Sequence, residues 1–290
     1  FLTAQGYFFA EKIYTQLPSA YRKTGLLFSH SNDYQEQWIE DMKNLNREDL
    51  FKAIDKKKME KLYGFESHGL LVKKGGYLFP KLICKEMLAH PNIKVSYNHC
   101  FENWFRHKSK INIQFLNQEK KSGYDDLIIA NGPSLEQHLS GLKISKGQLV
   151  GLNGDQPIDL DLPINSAGYI LPKVDEITWI GSTHEKEFEN INVCYEAGYK
   201  LIERTNKNFN ITLTGSDNML MKANFRVGSK DRLPLAGKIE ENIYAIGGLG
   251  SRGFSLGPIL GEHVASLINN SPSPISSGIA LAIEPLRFKD

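Results

Sequence analysis

The sequence has little of what identifies several common classes of protein. Only three of its 290 residues are cysteines, Cys84, Cys100 and Cys194, and an odd number at wide spacing does not indicate a disulfide framework. We therefore expect reduced core cysteines, as in a cytoplasmic protein. No apolar run approaches the ~18 residues of a membrane-spanning helix, so we expect no membrane segment.

The chain also lacks the signatures of several kinds of site. Its eight histidines form no HxH or HxxxH pair and its cysteines have no ligand spacing, so we predict no metal site. The phosphate-binding pattern GxxxxGK(S/T) is absent, and no GxGxxG stands between an early strand and an early helix. The net charge of +2 permits a nucleic-acid partner without arguing for one. The start, FLTAQGYFFAEK, has no initiating Met, and we expect the chain to be a piece of a longer protein.

The most informative stretch is Ile243–Ile268, IYAIGGLGSRGFSLGPILGEHVASLI. Its first four residues form a continuous apolar run, which predicts a strand buried on both faces. A glycine-rich turn follows over Gly247–Gly257, and we predict that a helix opens near Pro258, since proline suits the first helical position. A glycine turn before a helix N-terminus favours an anionic group, and Arg252 adds a cation there. On spacing alone, the turn is equally consistent with an ordinary connection that binds nothing.

The pattern of strands predicts two domains of different kinds. Ile93–Tyr97 alternates apolar and polar residues, Leu127–Ala130 is continuously apolar, and both resemble Ile243–Ile246 in being short strands between helices. We expect these three strand endings to lie side by side in an α/β sheet, where ligands bind at the carboxyl ends. The strands between positions 141 and 235 have an antiparallel style and predict a mixed α+β domain. The predicted division is therefore a discontinuous first domain over 1–140 and 236–290, and a second over 141–235.

Two arginines and a tyrosine are candidates for binding a substrate. Arg226 ends a strand-like run, and Arg252 lies in the glycine turn. If both turns face one cleft, two guanidinium groups meet there, and such groups bind carboxylates in a bidentate way. Tyr169 begins another strand and could line the same cleft. Each of these residues, taken singly, is also consistent with an ordinary surface arginine or core tyrosine.

Seven stretches occur in a characteristic order along the chain: KGGYLFP, DDLIIANG, KGQLV, AGYILP, TWIGSTHE, FRVGSKDRLPLAG and the stretch Ile243–Ile268. In that order they resemble the FAD-dependent D-amino-acid-oxidase family, and within it the oxidoreductase domains of bifunctional tRNA-modifying proteins. The closing PLRF adds to the likeness. The resemblance implies an FAD-dependent oxidoreductase acting on CH–NH groups.

The same resemblance implies the fold. It is an α/β plus α+β architecture: a Rossmann-like FAD/NAD(P)-binding domain with a mixed-sheet substrate domain of the D-amino-acid-oxidase type. The family begins with a βαβ unit whose glycine turn holds the FAD pyrophosphate, and nothing in this chain matches it. We therefore expect the FAD-binding domain to be incomplete here, over 1–140 and 236–290, with the substrate domain over 141–235.

The resemblance also assigns residues. Arg226 matches the arginine that grips the substrate carboxylate and Tyr169 a residue close to the substrate, so these two and Arg252 are the predicted catalytic residues. Phe101 matches a position whose backbone meets the adenine, and Gly132 closes a strand under the cofactor. The remaining predicted FAD-binding residues belong to the glycine turn and the helix after it: Gly248, Gly250, Ser251, Arg252, Gly253, Phe254 and Ser255.

The implied substrate is a tRNA with a modified wobble uridine. The resemblance implies oxidative removal of the carboxymethyl group from 5-carboxymethylaminomethyl-2-thiouridine, which gives 5-aminomethyl-2-thiouridine for methylation. It also implies an upstream S-adenosylmethionine-dependent methyltransferase domain in the same polypeptide, in the cytoplasm. Two alternatives stay open: an FAD-dependent oxidase of a free small amino acid such as glycine or sarcosine, and a flavin-free RNA-docking domain.

Overall fold

The computed structural model describes residues 2–29, 33–45, 47–65, 67–154, 156–216 and 218–289, without the side chains of 33–36, 38 and 39. The helices within these ranges are α1 Leu2–Tyr14, α2 Asp33–Asn44, α3 Lys56–Tyr63, α4 Pro80–Leu88, α5 Tyr195–Phe209, α6 Gly253–Ile268 and α7 Ser277–Ala282, with a 3₁₀ helix at Gly132–Gln137. The strands are β1 Tyr21–Arg22, β2 Leu26–Ser29, β3 Phe51–Ile54, β4 Gly69–Val72, β5 Tyr77–Leu78, β6 Phe101–His107, β7 Lys110–Phe115, β8 Lys120–Tyr124, β9 Leu127–Ile129, β10 Leu142–Asn153, β11 Ile164–Asn165, β12 Tyr169–Ile170, β13 Ile177–Gly181, β14 Leu220–Ser229, β15 Leu235–Glu240 and β16 Ile243–Gly247. No helix in the described ranges has the length and apolar character needed to cross a membrane.

The chain forms two compact units. Unit 1 contains Phe1–Gln16, Cys84–Ser145 and Phe225–Asp290, and unit 2 contains Leu17–Ile83 and Lys146–Asn224. The long strands β10 and β14 carry the chain from one unit to the other. Both units are discontinuous in sequence, so each is held together by contacts between distant segments.

Unit 1 contains a small sheet in the order β15-β16-β9. Strand β16 pairs with β9 in parallel, with Ile243 opposite Leu127, and with β15 in antiparallel fashion. The expectation that the endings of Leu127–Ala130 and Ile243–Ile246 lie side by side is therefore confirmed. The third predicted strand, Ile93–Tyr97, is wrong: this segment forms no strand, and Tyr97 is 76% exposed. Alternation alone does not make a strand when no neighbour accepts its backbone hydrogen bonds.

The prediction that a helix opens near Pro258 is also wrong, because α6 begins five residues earlier, at Gly253. Pro258 lies inside the helix, where its missing N–H leaves the carbonyl of Phe254 without an intrahelical partner. The Tyr14 hydroxyl of α1 donates a 2.7 Å hydrogen bond to that carbonyl. A side chain 240 residues away in sequence thus replaces the donor that proline removes.

Helices α1 and α6 cross closely at Gly6. A Cβ atom there would lie 2.7 Å from both the Leu256 side chain and the Ser255 carbonyl oxygen, so only glycine fits. The crossing buries Leu256, Ile259 and Leu260 in one of the two apolar clusters of unit 1. Because α1 packs on the first turns of α6, the start of α6 is held from outside as well as by its own hydrogen bonds.

A second sheet of unit 1 is the antiparallel meander β6-β7-β8. Its inner face packs Phe101, Trp104 and Ile111 in the other apolar cluster, with Ile129 of β9. Arg106 attaches the meander to the β15–β16 turn through a 3.1 Å hydrogen bond to Glu240 and a further one to the Glu241 carbonyl. The meander is therefore fixed relative to the small sheet.

Unit 2 is built on a long sheet in the order β14-β10-β13-β12-β11-β2-β4-β3. Its core contains Leu27, Ile54 and Met59 together with Val150 and Ile180. Strand β2 joins this sheet by a parallel pairing with β11, Leu27 opposite Ile164. The segment Leu17–Ile83 consequently belongs with 146–224, whereas the sequence prediction put it with the first domain. The predicted roles of the two domains stay predictions.

Arg287, near the end of the sequence, is hydrogen-bonded to the turn after β14. Arg287 donates to both carboxylate oxygens of Asp231, from Nε at 2.8 Å and from Nη2 at 3.0 Å, and also to the Leu233 carbonyl at 2.9 Å. The same carboxylate accepts from the Ser229 hydroxyl and from the Leu233 N–H. The Arg287 guanidinium holds the pKa of Asp231 well below its usual range. The motifs FRVGSKDRLPLAG and PLRF, which are far apart in sequence, are therefore in direct contact.

We expect Tyr14→Phe to lower the free energy of unfolding by about 1 kcal/mol, the usual net value of one hydrogen bond. Burial, with Cys84 adding to it, raises the pKa of Tyr14 to about 12, so the phenol stays a donor at neutral pH. In a Pro258→Ala background residue 258 has an N–H that can bond to the Phe254 carbonyl. Tyr14→Phe should then lower the free energy of unfolding much less. Urea unfolding of the four proteins of this double-mutant cycle measures the coupling. Equal costs in the two backgrounds would contradict the account of Pro258.

We expect Arg287→Ala to lower the free energy of unfolding at pH 7 by about 1.5–3 kcal/mol, since it removes hydrogen bonds to a charged group. The folded-state pKa of Asp231 is depressed, so this stabilisation exists above the ordinary carboxyl pKa and is lost as the pH falls through the folded value. Stability of the variant should therefore fall less steeply in acid than that of the parent, as followed by urea unfolding over a pH series.

A matched control is Arg47→Ala. Arg47 makes a bidentate pair with Asp49, two contacts of 2.7 Å, but both side chains are more than half exposed. Solvent screens such a pair, so a much smaller loss is expected. Equal losses for the two arginine variants would show that partial burial of the Asp231 pair contributes nothing.

Candidate active site

The glycine turn between β16 and α6 has two residues in the left-handed region, Gly248 at φ +65° and Gly250 at φ +59°. A side chain would be strained at either position, so the turn depends on glycine there. The N–H of Gly250 donates a 2.7 Å hydrogen bond to the carbonyl of Val227, and Gly228 bridges to Leu249. The turn is thus bonded to the strand β14.

This bonding sets the position of Arg226. It lies on β14 directly before Val227, is half-buried, and its carbonyl accepts from the Ser145 hydroxyl at 3.4 Å. The backbone of the predicted substrate arginine is therefore fixed on both sides, by β10 and by the glycine turn. The backbones of β14 and the glycine turn are thus joined, and the meeting of the two guanidinium groups in one cleft stays a prediction.

The other predicted arginine has a structural partner. Arg252 donates from its guanidinium to the carbonyl of Arg232, in the turn between β14 and β15. It precedes α6 at the N-cap position and makes no side-chain cap. The hydroxyl of Ser255, in the first turn of α6, donates to the Arg252 carbonyl at 3.1 Å. Arg252 therefore connects the glycine turn to the turn that Asp231 and Arg287 stabilise.

The glycines of this region differ in what surrounds them. A Cβ atom on Gly248 would lie 2.6 Å from the Leu235 side chain, so packing accounts for that glycine. At Gly250, Gly253 and Gly132 a Cβ atom would meet no atom within 4 Å. Open space thus lies against the backbone of the turn, the start of α6 and the end of β9. The first N–H groups of α6, including those of Phe254 and Ser255, have no intrahelical acceptor and favour an anionic group.

Unsatisfied polar groups lie at the end of β9 as well. Both side-chain polar atoms of Asn131, next to Gly132, are buried without a hydrogen-bond partner among the described residues. The His138 ring is tilted against the rings of Phe101 and Trp104, with centroids 5.6 and 5.0 Å away, and its Nε2 is also buried without a partner among the described residues. Burial lowers the pKa of His138, which keeps the ring neutral at pH 7.

These groups fit a bound molecule with polar atoms. A buried amide left unpaired costs free energy, and a ligand that pairs with it recovers that cost. Of them, only Phe101 and Gly132 were predicted from the sequence. Asn131 follows a continuously apolar strand, which is the signal that could have identified it. Nothing in the sequence indicates the burial of His138.

Tyr169 belongs to unit 2, where it begins β12 opposite Gly181. A Cβ atom on Gly181 would lie 2.4 Å from the tyrosine hydroxyl, so the ring lies over that glycine. The meeting of Tyr169 with Arg226 stays a prediction. Within the described ranges no group of three or more His, Cys, Asp or Glu side chains could hold a metal ion. The cysteines differ from the expectation of core positions: Cys84 and Cys100 are exposed and Cys194 is partly buried.

Comparison with known proteins identifies the family. Residues 3–267 match the family of FAD-dependent oxidoreductases. A curated relative from Campylobacter jejuni, named as a bifunctional protein of tRNA 5-methylaminomethyl-2-thiouridine biosynthesis, is 24% identical over 96% of this chain and 47% of its own length. The chain thus spans about half the length of the curated relatives it matches.

Solved structures agree on the fold. Iminodiacetate oxidase from Chelativorans sp. BNC1 superposes with a TM-score of 0.81 at 15% identity, over 98% of this chain and 83% of that one. Glycine oxidase from Geobacillus kaustophilus also has a TM-score of 0.81, at 14% identity, over 100% and 83%. The predicted fold class, a Rossmann-like FAD-binding domain with a mixed-sheet substrate domain, is confirmed. On the match over 3–267, the chain belongs to the family of FAD-dependent oxidoreductases, whose cofactor is the predicted FAD.

Proposed function

We propose that this chain is the oxidoreductase part of a tRNA-modifying enzyme that removes the carboxymethyl group from 5-carboxymethylaminomethyl-2-thiouridine at the wobble position. The observation that carries the proposal is the hydrogen bond from Gly250 to Val227. It joins a turn suited to an anionic cofactor to the strand that bears Arg226. The name of the Campylobacter jejuni relative supports tRNA as the substrate class.

FAD fits the residues present. The open space at Gly132, Gly250 and Gly253, with the unpaired amide of Asn131, suits a molecule that lies against backbone and offers polar atoms. The other predicted FAD-binding residues belong to the same turn or to the start of α6: Gly248, Ser251, Arg252, Phe254 and Ser255. Phe101 and Trp104 lie on the inner face of the meander, and the ring of His138, which follows the 3₁₀ helix, is next to that of Phe101. The chemistry that FAD supplies when bound is removal of a hydride from the carbon beside the amine, after which hydrolysis releases glyoxylate and leaves the aminomethyl group.

The contribution of Arg226 is to bind and orient. Its guanidinium can hold both oxygens of the substrate carboxylate, which fixes the attached CH₂ group as well as the charge. Fixing a reacting carbon in this way lowers the barrier by reducing the entropy lost at the transition state. The backbone N–H groups at the start of α6 favour negative charge that develops during the reaction. Tyr169 is proposed to lie next to the substrate.

The proposal includes two partners. A tRNA presents the modified uridine, and an S-adenosylmethionine-dependent methyltransferase domain in the same polypeptide methylates the aminomethyl product. The cytoplasm, where tRNA is modified, is the proposed location. A guanidinium that binds a carboxylate would bind the carboxylate of a free amino acid equally well. The test therefore has to distinguish tRNA from a free amino acid as the substrate.

The experiment is an anaerobic absorbance spectrum of the natural gene product, before and after addition of substrate. We expect flavin absorbance at about 450 nm that bleaches with tRNA bearing carboxymethylaminomethyl-uridine and not with glycine. Arg226→Lys keeps the charge but loses the bidentate fork, so the flavin content should stay and the bleaching rate should fall about 100-fold. Bleaching by glycine alone would make the protein a free amino-acid oxidase, and no flavin bands would favour a flavin-free RNA-docking domain.

We expect Gly253→Ala to reduce flavin content. The φ of Gly253 is outside the left-handed region and a Cβ atom there meets nothing within 4 Å, so the variant should fold as the parent does. The added methyl group would occupy the space that the cofactor needs. Flavin content is measured by absorbance after purification, and folding by thermal unfolding of the apoprotein.

Gly261→Ala is the matched control. Gly261 lies in the same helix, two turns further on, and a Cβ atom there also meets nothing within 4 Å. Flavin content should be unchanged in this variant. A Gly253→Ala protein with full flavin content would mean that the open space at the start of α6 has another use.

A further inference from the structure

The meander β6-β7-β8 has an uneven charge. The meander, positions 101–124, contains five Lys or Arg and two Asp or Glu, a formal charge of +3, while the whole chain has +2. This element of unit 1 is thus more positive than the chain as a whole. Such a concentration favours a polyanionic partner.

The two faces of the meander differ in composition. Successive side chains of a strand point to opposite faces, and Trp104 packs in the core, so its neighbour Phe105 is on the outer face. Phe105 is 43% exposed. The pairing of Asn103 with Gln114, and of Gln114 with Lys120, places these three polar residues on the same outer face.

Phe105 and Lys120 are in contact on that face. The Lys120 ammonium lies 5.6 Å from the centre of the Phe105 ring. At the edge of the sheet, Lys108 and Ser109 form the tight β6–β7 turn, both with positive φ, and Lys108 is exposed. Lys110 is less available because it is paired with Asp125. The face thus combines an exposed aromatic ring, the Lys120 ammonium and amide side chains, and Lys108 is exposed in the turn at its end.

We propose that this outer face binds a single-stranded segment of tRNA, with a base stacked on Phe105 and phosphates at Lys108 and Lys120. Aromatic stacking with neighbouring cations is the usual way in which unpaired nucleic acid is bound, and amides can bond to base edges. The face is opposite to the one that carries Phe101, so it is separate from the predicted cofactor site. The inference rests on the proposed function in taking the substrate to be a tRNA.

Another dense group of lysines is on α3 of unit 2, where Lys57 and Lys58 are exposed. No aromatic residue accompanies them within the helix except Tyr63, which is partly buried. Charge alone would bind phosphate without holding a base. The meander therefore suits an RNA loop better than α3 does, and α3 provides the rival surface for the test.

The test measures binding of an unmodified tRNA transcript to the natural gene product by fluorescence anisotropy, over a series of salt concentrations. We expect Phe105→Ala to raise Kd about tenfold and Phe105→Tyr to leave it near the parent value, since tyrosine also stacks. Lys108→Ala with Lys120→Ala should reduce the slope of log K against log salt by about 1.4, the value for two phosphate contacts on a single strand.

Two controls accompany these variants. Tyr199→Ala removes an aromatic side chain of similar exposure, 41%, from α5, and Lys57→Ala with Lys58→Ala removes two cations from α3. Both should bind as the parent does. An effect of the α3 variant without an effect of the meander variants would overturn the inference, as would unchanged binding in Phe105→Ala.

The outcomes also separate this inference from the proposed function. If the parent binds tRNA and the meander variants bind equally well, only the surface is wrong. If the parent binds no tRNA, both the surface and the tRNA substrate are wrong. If tRNA binding depends on Phe105 but modified tRNA does not bleach the flavin, the surface stands and the proposed reaction fails.

Discussion

The backbone of the turn between β16 and α6 can follow its path only because Gly248 and Gly250 take left-handed conformations. That path points the N–H of Gly250 at the carbonyl of Val227, and so bonds the turn to β14. It also starts α6 at Gly253, with its free N–H groups beside the open space. The backbone position of Arg226 and the start of α6 thus depend on two residues without side chains.

Distant segments hold this turn through polar contacts. Tyr14 supplies the hydrogen bond that Pro258 removes from α6, and Arg287 holds the turn after β14 through Asp231. Arg252 then joins that second turn to the glycine turn. An early helix and the last residues of the chain are therefore both linked to the glycine turn, the first through α6 and the second through Asp231 and Arg252. The arrangement explains why FRVGSKDRLPLAG and PLRF occur together in the sequence: one carries the carboxylate and the other its guanidinium.

Elements with a strong local signal could be predicted, and those that depend on distant partners could not. The apolar runs Leu127–Ala130 and Ile243–Ile246 could be predicted as strands because each is short and continuously apolar, although Ile128 of β9 is 45% exposed while β16 is mostly buried. The start of α6 differs from the expectation because Pro258 carries the local signal of a helix start, while the donor that makes an internal proline tolerable is on α1. The grouping of Leu17–Ile83 with 146–224 has no local signal, because it depends on the parallel pairing of β2 with β11. The unpaired amide of Asn131 likewise depends on what covers it.

The surroundings of the glycines separate those that the fold requires from those that it does not. Gly6 and Gly248 face side chains or backbone at less than 3 Å, so the packing of this chain alone accounts for them. Gly253 and Gly132 face nothing within 4 Å, and at Gly253 the φ angle imposes no restriction either. A helix start with alanine there would be more stable, because glycine loses more conformational entropy on folding. The fold therefore gives no reason for glycine at Gly253, just as it gives none at Gly261, so only the proposed close approach of FAD would distinguish the two positions.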